Sequence, residues 1–177
     1  MLELLVVFYY MNWGSSMEKV FIGRIVSTHG IKGEIRILSD FPFKEKVFVV
    51  GKKLIIDDSF YEIKSYRHHK NFEMVTLDNY HDINEVLFLL KKDVYFNKDD
   101  LNLLDDEVLD SDLVTFQVET EDGRVGKIIE AEVTGGHNKI IRVLFDKEIL
   151  IPYTSPFVEK IDKKNKKIIV HLIDGME

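Results

Sequence analysis

Gly23-Arg-Ile-Val-Ser-Thr-His-Gly-Ile-Lys-Gly-Glu-Ile-Arg-Ile37 is the stretch on which the reading of this chain turns. Two β-rich runs, Val20 to Val26 and Glu34 to Leu38, flank the connection Thr28-His29-Gly30-Ile31-Lys32-Gly33. Ile35 and Ile37 alternate with Glu34 and Arg36, the period of two expected of a half-buried strand. Gly30 and Gly33 let the connection take positive φ twice without a Cβ clash. Local geometry alone therefore gives a tight hairpin opening a β domain.

The chain continues as short strands. Val47–Val50 and Lys53–Ile56 surround Gly51, and Phe60–Tyr66 and Phe72–Leu77 flank the polar Arg67-His-His-Lys-Asn71 as a hairpin. Asp82, with Glu85 three residues later, predicts a capped helix over His81–Leu90, with Ile83, Val86, Leu87 and Leu90 on its apolar face. Asp93–Phe96 closes this half. Many short strands with one helix predict a small barrel. Asn97 to Asp112 is rich in Asp and Leu without periodicity and reads as a linker plus the entry to a second domain. Beyond it, Phe116–Thr120 and Arg124–Ile129 form a hairpin about Asp122-Gly123. Ala131–Thr134 and Lys139–Phe145 form another pair, Glu148–Ile151 is stopped by Pro152, and Phe157–Ile161 and Lys167–Leu172 flank a lysine-rich turn. This spacing again predicts a barrel or sandwich.

The 177 residues, 45% hydrophobic and 31% charged, belong to an ordinary globular chain of one large or two small domains. With no cysteine, disulfide and thiolate chemistry are excluded. The net charge of −7 is unevenly spread. Met17 to Leu103 carries 14 Lys+Arg against 14 Asp+Glu, whereas Leu104 to Glu177 carries 10 against 16. An acidic half repels phosphate and steers basic partners. Residues 1–16 are apolar as far as Trp13, but shorter than the ~20 residues of a membrane span. They also lack the basic start of a signal peptide. Met17 is expected to be the natural start, and no membrane partner is expected.

No catalytic constellation is visible. The six histidines are scattered, and no nucleophile elbow, P-loop or dinucleotide fingerprint is present. Gly135-Gly136 lies between two strands and reads as a turn, not a phosphate cradle. On a regular strand the adjacent His68 and His69 would point to opposite faces, which disfavours a shared metal; at a hairpin tip they could meet one, but they read there as solvated loop histidines. Lys64, Tyr66, Arg67, His68, His69, Lys70 and Phe72 form a basic-aromatic cluster. It reads either as a solvated hairpin tip or as a nucleic-acid contact.

The stretch G-x-I-x-x-x-H-G-I-K-G-E-I from Gly23 resembles the ribosome maturation factor RimM family. The resemblance extends through Asp112-Leu113, Gly123-Arg-Val-Gly-Lys-Ile128, Thr134-Gly135, Ile149-Leu-Ile-Pro-Tyr153, Val158-Glu-Lys-Ile-Asp162 and the closing Lys167–Met176. The ordered set, not any single motif, carries it. It implies a mainly β fold of two small barrels: a translation-factor-like six-stranded barrel over residues 17–97, a linker over 98–107 and a PRC-barrel over 108–177. It also implies a non-enzymatic, monomeric, cytoplasmic factor without cofactors that binds the free small ribosomal subunit precursor and its head protein numbered nineteen. Ribosomal RNA is an expected contact. On this resemblance Val108, Leu109, Asp112, Leu113, Pro152 and Tyr153 are candidate partner-binding residues, and His29, Lys32, Arg67, His68, His69 and Lys70 are candidate ribosome-facing ones. Two departures stand out. The family's paired tyrosines correspond to Val108 and Leu109, and its Asp-Leu-Ile-Gly becomes Asp112-Leu-Val-Thr115. Val108 and Leu109 are expected to pack between the domains or against the partner. Two other readings are a barrel that binds RNA directly and a PRC-barrel accessory of membrane electron transfer.

Overall fold

The computed structural model describes residues 17–134, 138–173 and 175–176, so the apolar leader and the Gly135-Gly136 turn lie outside the described residues. The chain divides into two compact units that meet between Asn102 and Leu103.

In the first unit, strands β1 (Lys19–His29), β2 (Glu34–Leu38), β3 (Lys53–Ile56), β4 (Ser59–His69), β5 (Phe72–Leu77) and β6 (Asp93–Asn97) form a closed barrel in the order β1-β2-β5-β4-β3-β6. Closure rests on the length of β1. Its last residues pair with β2, from Arg24 opposite Leu38 to His29 opposite Glu34. Its first residues pair with β6, from Lys19 opposite Asn97 to Arg24 opposite Asp93. Ile22, Ile25, Ile35, Ile37, Leu54, Ile63, Val75, Leu77, Val94 and Phe96 fill the interior. This is the inward half of the alternation read in the sequence.

Two local features differ from the sequence expectation. Val47–Val50 does not form a strand; Lys44–Val47 is instead a one-turn helix, α1, that sets Val47 and Phe48 into the core. Two buried residues in succession cannot both face inward from a strand, whereas a helical turn followed by a bend can do this. The capped helix is present, with the Asp82–Glu85 box made in full, but it is a 3₁₀ helix, η1, over Ile83–Leu89. Three residues per turn put Val86 and Leu89 against the core and leave Leu87 44% exposed, so the expected face rotates. Lys98–Leu101, expected as linker, is a second 3₁₀ turn with Leu101 buried.

The second unit is a six-stranded sheet in the order β10-β9-β8-β7-β12-β11. Its strands are β7 (Gln117–Thr120), β8 (Val125–Thr134), β9 (Asn138–Leu144), β10 (Glu148–Pro152), β11 (Val158–Asp162) and β12 (Lys167–Val170), preceded by the one-turn helix α2 (Asp110–Leu113). The expected strand break at Glu130 is a β-bulge within one continuous β8. β12 runs parallel to β7, and all other pairings are antiparallel. One face packs Val118, Ile128, Ile141, Val143, Ile149, Ile151, Ile168 and Val170 with Val108, Leu113 and Phe116.

Both glycines of the β1–β2 connection take the left-handed backbone, φ +66 at Gly30 and +73 at Gly33. They differ in surroundings. A Cβ on Gly30 meets nothing within 4 Å, whereas one on Gly33 falls 2.8 Å from the Asp82 carbonyl oxygen at the η1 cap. Gly33→Ala should therefore destabilise the protein by roughly 2–4 kcal/mol, and Gly30→Ala by about 1 kcal/mol. Denaturant unfolding of the two variants checks the difference; equal losses would mean that backbone strain alone, and not the contact with η1, sets the requirement.

Candidate functional site

The first unit holds the basic residues singled out in the sequence, but not at one place. His29 and Lys32 belong to the β1–β2 connection, and Arg67, His68, His69 and Lys70 to the end of β4 and its turn into β5. β2 runs antiparallel to β5, with Leu38 opposite Phe72 and Ile35 opposite Val75. The two tips therefore sit at opposite ends of β2, roughly 13 Å apart along the strand direction.

The barrel's outer wall between them is a charged lattice. Arg67 donates to both carboxylate oxygens of Glu34, at 2.8 and 2.6 Å. The Arg36 guanidinium lies 2.7 Å from His29 Nδ1 and 5.8 Å from the Phe72 ring centre. Arg67 and His29 are thus held flat on the wall, while Lys32, His69 and Lys70 extend from the tips into solvent. Arg67 and His68 are also about half exposed, at 47% and 57%, but each is tied to a carboxylate, Glu34 and Glu73 respectively.

Sequence reasoning missed Glu73, which is 1% exposed. It accepts a 2.7 Å hydrogen bond from the Tyr66 hydroxyl, lies 3.2 Å from His68 Nδ1, and pairs with Lys44 of α1 at 3.3 Å. Its signal was present. In Phe72-Glu-Met-Val-Thr-Leu77 the alternation puts Glu73 on the face of Val75 and Leu77, and the register sets it opposite inward Ile37. Burial pushes the Glu73 carboxyl up, but the hydrogen bonds from Tyr66, His68 and Lys44 outweigh it and hold the group below the usual carboxylate range. The Tyr66 phenol is pushed up to about 12 by burial and by its bond to Glu73. Phe48 stacks on the same tyrosine, ring centres 5.9 Å apart, so the network ties α1 to the barrel mouth.

In the second unit the six sequence candidates gather around α2. Val108, Leu109 and Leu113 are 5%, 4% and 0% exposed, and Val108 and Leu113 are members of the unit's own hydrophobic core. Val108 and Leu113 fill that core, and none of the three offers side-chain surface to a partner. Leu109 also caps α2, its carbonyl accepting from the Asp112 and Leu113 amides. Pro152 ends β10 opposite Ile140, and Tyr153 packs on the core edge, 5.0 Å beneath the Lys139 ammonium. Lys139 pairs with Asp110 of α2. Burial, with the charges of Asp110 and Asp106, pushes the Tyr153 phenol up to about 12. Asp105 and Asp106 stand exposed just before this helix. The outward property of the region is acidic.

A closed barrel with basic tips and an acidic six-stranded sheet define a two-domain β protein. The family model of the RimM N-terminal domain matches residues 20–101, and that of the RimM PRC barrel domain matches residues 110–176. The chain belongs to the RimM family. It is 32% identical over 165 residues to a ribosome maturation factor RimM of Shouchella clausii, covering 88% of this chain and 95% of the relative. It is 34% identical over 165 residues to the protein of that name in Staphylococcus aureus, covering 89% and 98%. A crystal structure of a RimM protein from Pseudomonas aeruginosa aligns at 23% identity and a TM-score of 0.43, over 88% of this chain and 98% of that one. Among the described residues no helix is long and apolar enough to cross a membrane.

Glu73 makes stability depend on acid. Its folded pKa is lowered, so its contribution is complete above the ordinary glutamate value near 4.3 and is lost as pH falls through the folded value. Glu73→Gln should be less stable at pH 7 by roughly 1–3 kcal/mol and should show a flatter loss of stability below about pH 4.3 than the parent. Melting temperatures across pH 3 to 7 check this; parallel profiles would show that Glu73 is not the group that titrates. Leu113→Ala should cost about 2–5 kcal/mol through the cavity it leaves, without a specific binding defect in the folded fraction.

Proposed function

We propose that this chain is a non-enzymatic assembly factor for the small (30S) ribosomal subunit, acting in 16S rRNA processing and head maturation. The observation that carries the reading is the match to both RimM domain families over residues 20–101 and 110–176, together with relatives named ribosome maturation factor. The division of labour follows from charge. The acidic second unit, with Asp105 and Asp106 exposed before α2, suits a basic partner, the head-domain ribosomal protein numbered nineteen. Lys32, His69 and Lys70, at the two ends of β2 in the first unit, face ribosomal RNA. The factor works as a monomer in the cytoplasm. It binds the assembled conformation of the head more tightly than its competitors, shifts the population toward it, and leaves when mature contacts claim the same surface.

The test is co-sedimentation of the tagged full-length chain from growing cells. It should travel with precursors of the small subunit and be depleted from complete ribosomes. Asp105→Asn with Asp106→Asn should leave the fold intact and slow association with the purified basic protein by about threefold to tenfold at low salt, the gap closing as salt rises. Unchanged association would remove the acidic entry of the second unit from the binding surface. Chains found only with complete ribosomes would overturn the assembly reading itself.

A further inference from the structure

Glu73 gathers more base at the barrel mouth than one carboxylate can neutralise. Its Oε1 lies 3.3 Å from the Lys44 ammonium and 3.2 Å from His68 Nδ1. Its Oε2 lies 3.2 Å from the same nitrogen and accepts from the Tyr66 hydroxyl. The acid sits behind and the bases in front: Glu73 is buried, whereas the side chains of Lys44 and His68 stay 35% and 57% exposed. The two bases belong to different elements, α1 and β4, and converge because they share Oε1. They are no farther apart than those two distances laid end to end, which two oxygens of one oxyanion can bridge. The groups facing His68 are Lys44 from α1, Tyr66 from its own strand and Glu73 from β5, while β2 sets only the apolar Ile37 opposite Glu73. Among the described residues no second carboxylate pairs with either base.

The hydrogen bonding also orients the imidazole. A carboxylate accepts and does not donate, so Nδ1 carries a hydrogen and Nε2 is turned away from Glu73, without a partner among the described residues. In the neutral ring Nε2 is a lone pair and repels an anion. Once protonated it is an N–H donor, and Lys44 has donors to spare because an ammonium carries three. The pair then holds two positive charges against the single negative charge of Glu73, and an oxyanion supplies the missing one. Immediately beyond His68 come His69 and Lys70, and the Lys70 ammonium has no acceptor among the described residues.

We infer that Lys44 and protonated His68 form a subsite for one backbone phosphate of an RNA strand, held in place by the buried Glu73, and that the strand binds with uptake of one proton. The inference deepens the assembly-factor reading and rests on it for the choice of an RNA phosphate over a free anion. Nε2 takes the proton from solvent and donates it in a hydrogen bond to one phosphate oxygen, while the Lys44 ammonium donates to another. Glu73 touches no phosphate and acts as a positioning residue. A strand leaving the subsite passes over His69 and Lys70, cations that a lone anion would leave unused. A phosphodiester stays singly charged throughout the histidine range, so the pH dependence of binding reports the imidazole.

The experiment uses the full chain with a short unstructured RNA and, separately, inorganic phosphate. Anisotropy at constant salt gives RNA affinity from about pH 5.5 to about pH 8, on either side of the ordinary histidine value near 6.5, and imidazole spectra follow His68 itself. RNA should bind about tenfold more tightly at the acid end, with a steepest slope approaching about −1 in log affinity per pH unit, that of one bound proton. The His68 ring should titrate at higher pH with RNA than without it. His68→Gln, at a half-exposed position, should keep the fold and flatten the pH profile. Lys44→Gln should weaken binding several-fold across the whole range and leave the slope. Glu73→Gln should weaken binding and flatten the profile together, because ring and ammonium lose their common anchor. Affinity that ignores pH, a His68 titration unmoved by RNA, or a folded His68→Gln protein with the parental slope would each overturn the subsite. Inorganic phosphate that moves the His68 titration as far as RNA does, at equal concentration, would overturn the strand as its ligand. A parent that co-sediments with precursors yet binds RNA without pH dependence loses the subsite alone. One that is found only on complete ribosomes loses the assembly reading, whatever His68 does.

Discussion

The first unit depends on one strand serving two neighbours. β1 pairs with β2 over its second half and with β6 over its first, and Arg24 is the residue where the two ladders overlap. A closed barrel has no free edge to template aggregation. It also fixes which side chains face in and which face out around the whole circumference. The interior takes the isoleucines of β1 and β2, and the exterior is left with aromatic, basic and acidic groups in set register. The Arg67–Glu34 pair and the Glu73 network at one end both follow from that closure. Any slip of β1 by one residue would exchange the two sets.

Much of this was legible in the chain itself. Glu34–Leu38, Lys53–Ile56 and Phe72–Leu77 were read with the bounds they have in the fold, the first from its strict alternation and the other two from short apolar-rich runs set between turn residues. The capping box at Asp82 was read from two side chains at fixed spacing. What escaped was tertiary. Nothing local says that Val47 and Phe48 are both core residues, so a β-branched run looked like a strand. The helix type at Ile83–Leu89 is set by the barrel beneath it, not by its own spacing.

The candidate sites divide in the same way. Residue type and order pointed to the acidic second half and the basic tips, but not to their separation at the two ends of β2, which only strand pairing reveals. Val108 and Leu109 drew attention as departures at an expected binding position; both are buried, Val108 within the core of its own unit. Glu73 shows the reverse error. A charged residue in an alternating strand reads as outward by default, yet its phase with Val75 and Leu77 pointed inward. Phase was the stronger signal, and polarity was the misleading one.

The parallel pairing of β7 with β12 has a consequence for how the second unit is made. Gln117 is set against Lys167, 50 positions later, with four strands formed in between. While the chain is being synthesised, β7 can pair with β8 at once, but its other edge stays open until β12 emerges. During that interval the edge presents unpaired amides and carbonyls flanked by Val118, a surface that another nascent chain could match. The time taken to translate the intervening residues therefore sets the length of exposure. Slowing synthesis between β8 and β12 would lengthen the period in which this unit is open to misassembly, while the already closed first barrel would be unaffected.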